Sequence, residues 1–283
     1  MSEPKSESTD NSTVTKDNYV LRERDLEEVA RLKLQHNVWK EKTDAAIRKA
    51  YFSKGDRLLD LGCGPGALSL DLAEITGPEG SVLAIDKSEL FIRHLREQAG
   101  LRDKPWIDAR VGDVAEYPYI ENSLDGVVCR WMLMFLVEPE NVLKKLAFAL
   151  KPGGRIVVME YVQFRSMSLW PAGEAFKKLY HAVHELIGTF GGNADIGGRV
   201  PDILTAQGFE IIDLMPMLRV GRPGSALWDW LDATHKNHPN LVEAGLISQA
   251  DLDAYFREWA QAGKNPAAFF TTPPVLATIA RKL

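Results

Sequence analysis

Arg57-Leu58-Leu59-Asp60-Leu61-Gly62-Cys63-Gly64-Pro65-Gly66-Ala67 decides how this chain is read. The apolar run RLLDL is followed by glycines at alternate positions, then by an apolar-periodic stretch over residues 67–75. That order spells a buried strand, a tight turn and a helix. Glycines at 62, 64 and 66 let the backbone turn sharply and approach a ligand where a Cβ would clash. The helix that follows aims its free N–H groups at the same place, which suits a carboxylate or phosphate. Asp86 ends the next apolar run, SVLAI over 81–85, and a carboxylate there can accept both hydroxyls of a ribose. The turn alone leaves the cofactor open, because GCGPGA also satisfies G-x-G-x-x-A, the dinucleotide fingerprint.

Outward from the turn, strand and helix patterns alternate. A helix is expected over 89–98, strands over 106–111 and 126–130, a helix over 140–150, a turn at 151–154 and a strand over 155–161. Strands separated by helices, with no hairpin turns between them, indicate a parallel sheet covered on both faces. The expected fold is a doubly wound, Rossmann-like α/β domain with a seven-stranded, mostly parallel sheet and an antiparallel last strand. The rhythm then changes. A helix is expected over 170–187, a glycine-rich mobile stretch over 188–198, and a short helix over 200–207. A strand begins at Phe209, a mostly helical stretch covers 225–262, and an apolar strand closes the chain over 274–280. Residues 1–18 carry almost no apolar side chain and are expected to be a disordered tail. Residues 19–53 form an N-terminal helical cap, and 54–283 form the main domain, with substrate-covering insertions at about 164–198 and 222–270.

Three further features bear on the cofactor. Gly112-Asp113-Val114 follows the third strand, where an acid and neighbouring N–H groups could grip an adenine. Lys151-Pro152-Gly153-Gly154 precedes the fifth strand, and the chain ends in a strand, an insertion and a strand. Together with LLDLGCGPG and AIDKS, these residues resemble the class I S-adenosylmethionine-dependent methyltransferases, strongly over residues 54–160 and more weakly over 199–283. The branch it looks most like contains quinone-ring C-methyltransferases and small-molecule enzymes. The resemblance implies S-adenosyl-L-methionine as cofactor and S-adenosyl-L-homocysteine as its product. It implies that Asp60, Gly62, Cys63, Gly64 and Gly66 hold the amino-acid end, and that Asp86 holds the ribose, flanked by Lys87 and Ser88. Gly112, Asp113 and Val114 would bind the adenine, Arg130 would face the methionine moiety, and Tyr19 would fold over the cofactor. Two other readings stay open: a relative that binds the cofactor but catalyses a cyclisation or elimination, and an NAD(P)-dependent oxidoreductase.

The sulfonium is already a potent electrophile, so the chemistry needs in-line positioning and exclusion of water, and a base only if the acceptor must lose a proton. His181 and His184 share a helix face and are the candidates for that role, with His36 and Glu185 behind them. A metal reading of the pair would want a third ligand such as Asp195, and no metal is expected. The Asp/Asn-Pro-Pro-Tyr/Phe signature of many amide- and base-nitrogen methyltransferases is missing, since Cys129-Arg130-Trp131-Met132 stands in its place. His36, Trp39, Trp131, Tyr161, Trp170 and Trp228 are candidates for an aromatic acceptor pocket, with Phe164, Met167, Phe176, Tyr180 and Trp230 beside them. A small hydrophobic or aromatic acceptor follows, methylated on oxygen, carbon or nitrogen.

Composition supports this reading by exclusion. With 34 Lys+Arg against 39 Asp+Glu, the net charge of −5 and the lack of a basic run argue against a nucleic-acid partner. Two distant cysteines, Cys63 and Cys129, argue against a disulfide scaffold and for a reducing, cytoplasmic setting. No apolar stretch is long enough for a membrane span, and a monomer or homodimer is expected.

Overall fold

A computed structural model describes residues 26–283. The tail expected over 1–18 and the candidate Tyr19 lie outside the described residues.

Among the described residues the cap is one helix, α1 (Leu26–Arg48). The main sheet then builds through β1 (Arg57–Leu61), α2 (Ala67–Thr76), β2 (Ser81–Asp86), α3 (Glu89–Leu101), β3 (Ile107–Val111) and β4 (Leu124–Arg130). It continues with α4 (Pro139–Ala149), β5 (Leu150–Tyr161), β6 (Ser168–Trp170), α5 (Glu174–Thr189), α6 (Val200–Ala206) and β7 (Phe209–Met217). The last part comprises β8 (Val220–Gly221), α7 (Ala226–Thr234), α8 (Pro239–Glu243), α9 (Gln249–Gly263), β9 (Phe269–Thr271) and β10 (Val275–Lys282).

Seven strands form one sheet in the order β3-β2-β1-β4-β5-β10-β7. The first five are parallel, and β10 runs antiparallel between β5 and β7. The doubly wound sheet and its antiparallel closing strand are as the sequence led us to expect. The central strands are buried on both faces, which is why β1 and β4 read as continuous apolar runs rather than alternating ones. The strand order reverses between β1 and β4, and a crevice opens there at the carboxyl ends of the parallel strands, where ligands settle in such sheets.

Two details differ from the sequence reading. The segment expected as a turn at 151–154 belongs to β5, where Leu150 pairs with Leu124 before the register slips and Arg155 pairs with Gly126. A three-stranded sheet, β6-β9-β8, ties the two insertions together. Each of its strands is only two or three residues long, too short for a periodic signal. Helices α5 and α9 pack on this small sheet through Phe176, Trp259 and Phe270, whose rings lie 5.9 to 6.5 Å apart. Helix α1 packs against α7, so cap and insertions face each other over the crevice. Among the described residues, no helix is long and apolar enough to cross a membrane.

Candidate active site

The crevice holds a cavity of about 260 Å³. Its floor is the glycine turn. Gly62, Gly64 and Gly66 take φ of +68°, +53° and +85°, a left-handed conformation that a side chain resists. A Cβ on Gly62 would strike Met132, and one on Gly66 would come within 2.2 Å of Leu95. Gly64 differs, because among the described residues a Cβ there meets nothing nearer than Leu32 at 3.9 Å and Gly64 itself lines the cavity. This is the open cradle that a ligand pressed against the backbone requires.

Asp86 sits at the cradle's edge. Its Oδ2 accepts the Gly64 N–H at 2.8 Å and its Oδ1 accepts the Ser88 N–H at 2.9 Å, so the carboxylate is fixed with lone pairs to spare. Burial raises its pKa, against the pull of those N–H groups. Ser88 caps α3, and Lys87 reaches Asp113 at 2.9 Å. Burial pushes Asp113 up, but the Ala115 N–H and Lys87 outweigh it and hold the carboxyl below its usual range. Gly112 donates to the Asp86 carbonyl and Val114 is buried beside it. Asp60 does not line the cavity. It is 2% exposed, accepts the Ser69 hydroxyl at 2.6 Å, and burial raises its pKa to about 6. Cys63 lines the cavity as a buried thiol, pushed up by desolvation.

Arg130 ends β4 and enters the cavity wall. It donates to Thr43 Oγ1 at 3.0 Å and to His36 Nδ1 at 3.2 Å, and lies 5.1 Å over the Trp131 ring. Burial lowers its pKa to about 10, with Asp60 pulling the other way. A guanidinium can only donate, so His36 accepts at Nδ1 and gives its Nε2–H to Asp71 at 3.1 Å. Asp71 also takes Lys40, which anchors α1 to α2. Trp131 adopts φ +53°, a costly conformation for an indole residue. Its N–H donates to the Met159 carbonyl, and the next two N–H groups, Met132 and Leu133, both donate to Glu160 Oε1 at 2.8 and 2.7 Å. Glu160 is fully buried, and desolvation raises its pKa to about 8.

The roof comes from α1, α5 and α7 and the end of β5. Arg31, Leu32, Gln35 and His36 line it from α1, Tyr161 and Phe164 from the end of β5 and the turn after it, Tyr180, Val183 and Ile187 from α5, and Trp230, Leu231 and Thr234 from α7. Asn237, His238 and Leu241 follow. Of the acceptor-pocket candidates, the cavity brings together His36, Trp131 and Tyr161, with Phe164, Met167, Tyr180 and Trp230. It leaves out Trp39, Trp170 and Trp228. Trp39 is fully buried below Trp131, edge-on at 5.3 Å. Trp228 turns away and stacks on Trp259 at 3.8 Å, and Trp170 is 53% exposed.

His181 and His184 also lie outside the cavity lining. On α5 the lining residues are Tyr180, Val183, Leu186 and Ile187, at i, i+3, i+6 and i+7, and one residue of phase turns a side chain by about 100°. His181 instead lines a surface depression with Glu174, Lys177, Lys178 and Glu185. His184 Nε2 bonds Asp195 Oδ2 at 3.0 Å, and Asp195 Oδ1 accepts the Phe164 N–H, a brace for the segment leaving β5. The glycines beside it allow close packing, since a Cβ on Gly197 would lie 2.6 Å from the Glu160 and Tyr161 carbonyl oxygens. Among the described residues, no group of three or more His, Cys, Asp and Glu could hold a metal ion.

Residues 59–158 match the family described as Methyltransferase domain. A demethylmenaquinone methyltransferase of Shouchella clausii is 31% identical over 146 residues, which is 52% of this chain and 58% of that one. The chain spans about half the length of the curated relatives it matches. Geranyl diphosphate C-methyltransferase from Streptomyces coelicolor, solved with S-adenosyl-L-homocysteine, superposes at a TM-score of 0.57 with 13% identity, over 89% of this chain and 83% of that one. The [4+2]-cyclase SpnF superposes at 0.54 with 21% identity, over 86% and 80%. At such identities these two likenesses are of fold. Residues 59–158 thus resemble a methyltransferase domain, of the class I kind that uses S-adenosyl-L-methionine, and this weighs against the dinucleotide reading of the glycine turn.

Proposed function

We propose that this chain transfers a methyl group from S-adenosyl-L-methionine to a small apolar or aromatic acceptor, on oxygen, carbon or nitrogen. One observation carries the reading: the glycine cradle and Asp86 share a single cavity with the aromatic roof of Tyr161, Phe164, Tyr180 and Trp230. The open side of Gly64 and the fixed Asp86 carboxylate fit the amino-acid and ribose parts of the cofactor. When bound, the cofactor supplies an electrophilic methyl group on a sulfonium. The chain's own contribution is placement. Asp86 orients from two backbone N–H groups, Arg130 is aimed by Thr43 and His36, and Trp131 is held by the β5 backbone, with Glu160 gripping the two residues that follow it. The apolar roof excludes water, and aromatic faces suit a passing positive charge. The roof holds two histidines among the described residues: His36 is engaged with Arg130 and Asp71, and burial lowers the pKa of His238 to about 3. Positioning then bears most of the work, and acceptors that need no deprotonation by the protein are favoured.

Calorimetry with S-adenosyl-L-homocysteine and NAD tests the cofactor, and release of S-adenosyl-L-homocysteine with candidate acceptors tests transfer. Asp86→Ala should weaken cofactor-product binding by about 1.5–3 kcal/mol, the worth of hydrogen bonds to a charged group. Unchanged affinity would refute the placement. A product of unaltered mass would assign the cavity instead to a non-methylating reaction.

A further inference from the structure

His184 and Asp195 stay outside the cavity lining, yet each touches an element that builds the roof. Helix α5 gives Tyr180, Val183, Leu186 and Ile187 to the lining, and His184 follows Val183 in the same turn of helix. Its Nε2 lies 3.0 Å from Asp195 Oδ2. The other oxygen, Asp195 Oδ1, accepts the Phe164 N–H at 2.6 Å from a position 31 residues further along the chain. Phe164 opens the short 3₁₀ turn Phe164–Ser166 that leaves β5, and the first N–H of a helical turn finds no partner inside it. The same residue lines the cavity, buried and edge-on to Tyr161 at 5.2 Å. One carboxylate therefore links two walls of the roof: the turn that carries Phe164 and the helix that carries Val183 and Ile187. Asp195 is itself steadied, because its N–H donates to Asn193 Oδ1 at 2.9 Å. The wiring of His184 suits a brace better than a base. An ionised carboxylate only accepts, so Nε2 carries the hydrogen and the lone pair of the neutral ring falls on Nδ1. That nitrogen is buried with no hydrogen-bond partner among the described residues, out of reach of an acceptor's proton.

We propose that His184 and Asp195 are positioning residues for the acceptor: His184 orients the Asp195 carboxylate, and Asp195 seats Phe164 in the roof. The proposal rests on the methyl-transfer reading of the same cavity and assigns, within it, residues that shape the acceptor end rather than the glycine cradle. A second link joins the same two elements, Arg165 to Glu185 at 3.3 Å, but both side chains are half exposed and a pair of that kind contributes little. The clasp differs because it reaches the backbone of a lining residue. Without Oδ1 the Phe164 N–H loses its acceptor, and the turn is free to carry its ring away from Tyr161.

The test measures two affinities by calorimetry: S-adenosyl-L-homocysteine for the free chain, and 2-naphthol, a flat apolar probe, for the chain saturated with S-adenosyl-L-homocysteine. Asp195→Ala and His184→Leu should each weaken 2-naphthol roughly three- to tenfold while leaving S-adenosyl-L-homocysteine within about twofold. His184→Gln sets an amide N–H near the Nε2 position and should restore 2-naphthol to within about twofold of the unmodified chain. Arg165→Ala breaks the neighbouring ion pair between the same elements and should leave both affinities within about twofold. Should Asp195→Ala not fold, the two His184 variants decide the same question. The idea is overturned if the leucine and glutamine variants bind 2-naphthol equally, or if S-adenosyl-L-homocysteine weakens in step with it, as a merely structural role requires. It is overturned too if the unmodified chain binds S-adenosyl-L-homocysteine but not 2-naphthol. Failure to bind S-adenosyl-L-homocysteine at all sinks the methyl-transfer reading itself, so the two failures are distinguishable.

Discussion

Replacing Gly64 by alanine adds one methyl group at φ +53°, on the side of the turn that faces the cavity. Among the described residues that methyl has room, because its nearest neighbour there is Leu32 at 3.9 Å. The folding cost is then the left-handed conformation alone, about 1–2 kcal/mol, less the roughly 0.4–1 kcal/mol that alanine gains by restricting the unfolded chain. A net loss of about 1 kcal/mol lowers Tm by roughly 2–4 °C in a chain of this size. Gly66→Ala starts from the same conformational cost at φ +85°, but its methyl would lie 2.2 Å from Leu95 Cδ1, in a fully buried side chain. Overpacking adds about 1–3 kcal/mol there, so its Tm should fall at least twice as far. Binding reverses the emphasis. The Gly64 methyl occupies the space into which a ligand must press, and S-adenosyl-L-homocysteine affinity should drop tenfold or more, about 1.4 kcal/mol. Calorimetry alongside thermal melts reads both effects. Wild-type affinity in Gly64→Ala, or a melt as depressed as that of Gly66→Ala, would refute the assignment of Gly64 to the ligand face.

Glu160 should make stability fall with rising pH. Its folded pKa is raised by burial from 4.5 to about 8, so its contribution is complete below the lower value and is lost across that window at about 1.4 kcal/mol per unit. Glu160→Gln should flatten this part of the profile, and an unaltered slope between pH 5 and 8 in denaturant melts would count against it. His36→Leu deprives Arg130 of an acceptor and should weaken S-adenosyl-L-homocysteine binding up to roughly tenfold. His36→Asn, which offers a carbonyl near the Nδ1 position, should recover part of the loss, and equal binding by the two variants would exclude the relay. Trp259→Ala removes the ring stacked on Trp228 and should cost about 3–5 kcal/mol of stability, read by chemical denaturation, where a loss under 1 kcal/mol would contradict the packing.

The sheet and the floor of the site were legible because their signals are local and periodic. RLLDL, SVLAI and GVVCR are apolar runs bounded by glycines and helix patterns, and they became β1, β2 and β4 with boundaries off by at most two residues. The glycine turn was legible because a backbone that must bend to positive φ leaves a mark in residue type, and Asp86 because it ends the second apolar run. The roof was less so, for a geometric reason. A helix wraps 3.6 residues per turn, and without neighbours to fix the phase, His184 and Val183 are equally good candidates to face a ligand. Trp228 and Trp230 illustrate the same ambiguity, two residues apart and on opposite sides of α7. The short strands β6, β8 and β9, which set that phase, carry no pattern of their own. Glu160 was read only as the penultimate residue of a strand, since nothing in its surroundings signals that its carboxylate receives two N–H groups from another loop.

That carboxylate explains why the floor and roof behave as one site. The loop after β4 is gripped from four directions: Arg130 from α1 through Thr43 and His36, Trp131 from the β5 backbone, Met132 and Leu133 from Glu160, and Met132 from below by the bare face of Gly62. A side chain on Gly62 would push Met132 directly, and a shift of Met132 would pull on Glu160, whose neighbour Tyr161 forms the roof. Left-handed Trp131 is tolerable only because these contacts over-determine it. The same ring meets Trp39 edge-on and lies nearly parallel to Tyr161 at 6.0 Å, so any relaxation of its backbone would disturb cap and roof together. On the proposed methyl-transfer reading, a loop held in this way would convert the fit of a cofactor against a glycine backbone into the placement of an acceptor several residues away, which is what in-line transfer demands of a protein that contributes little chemistry of its own.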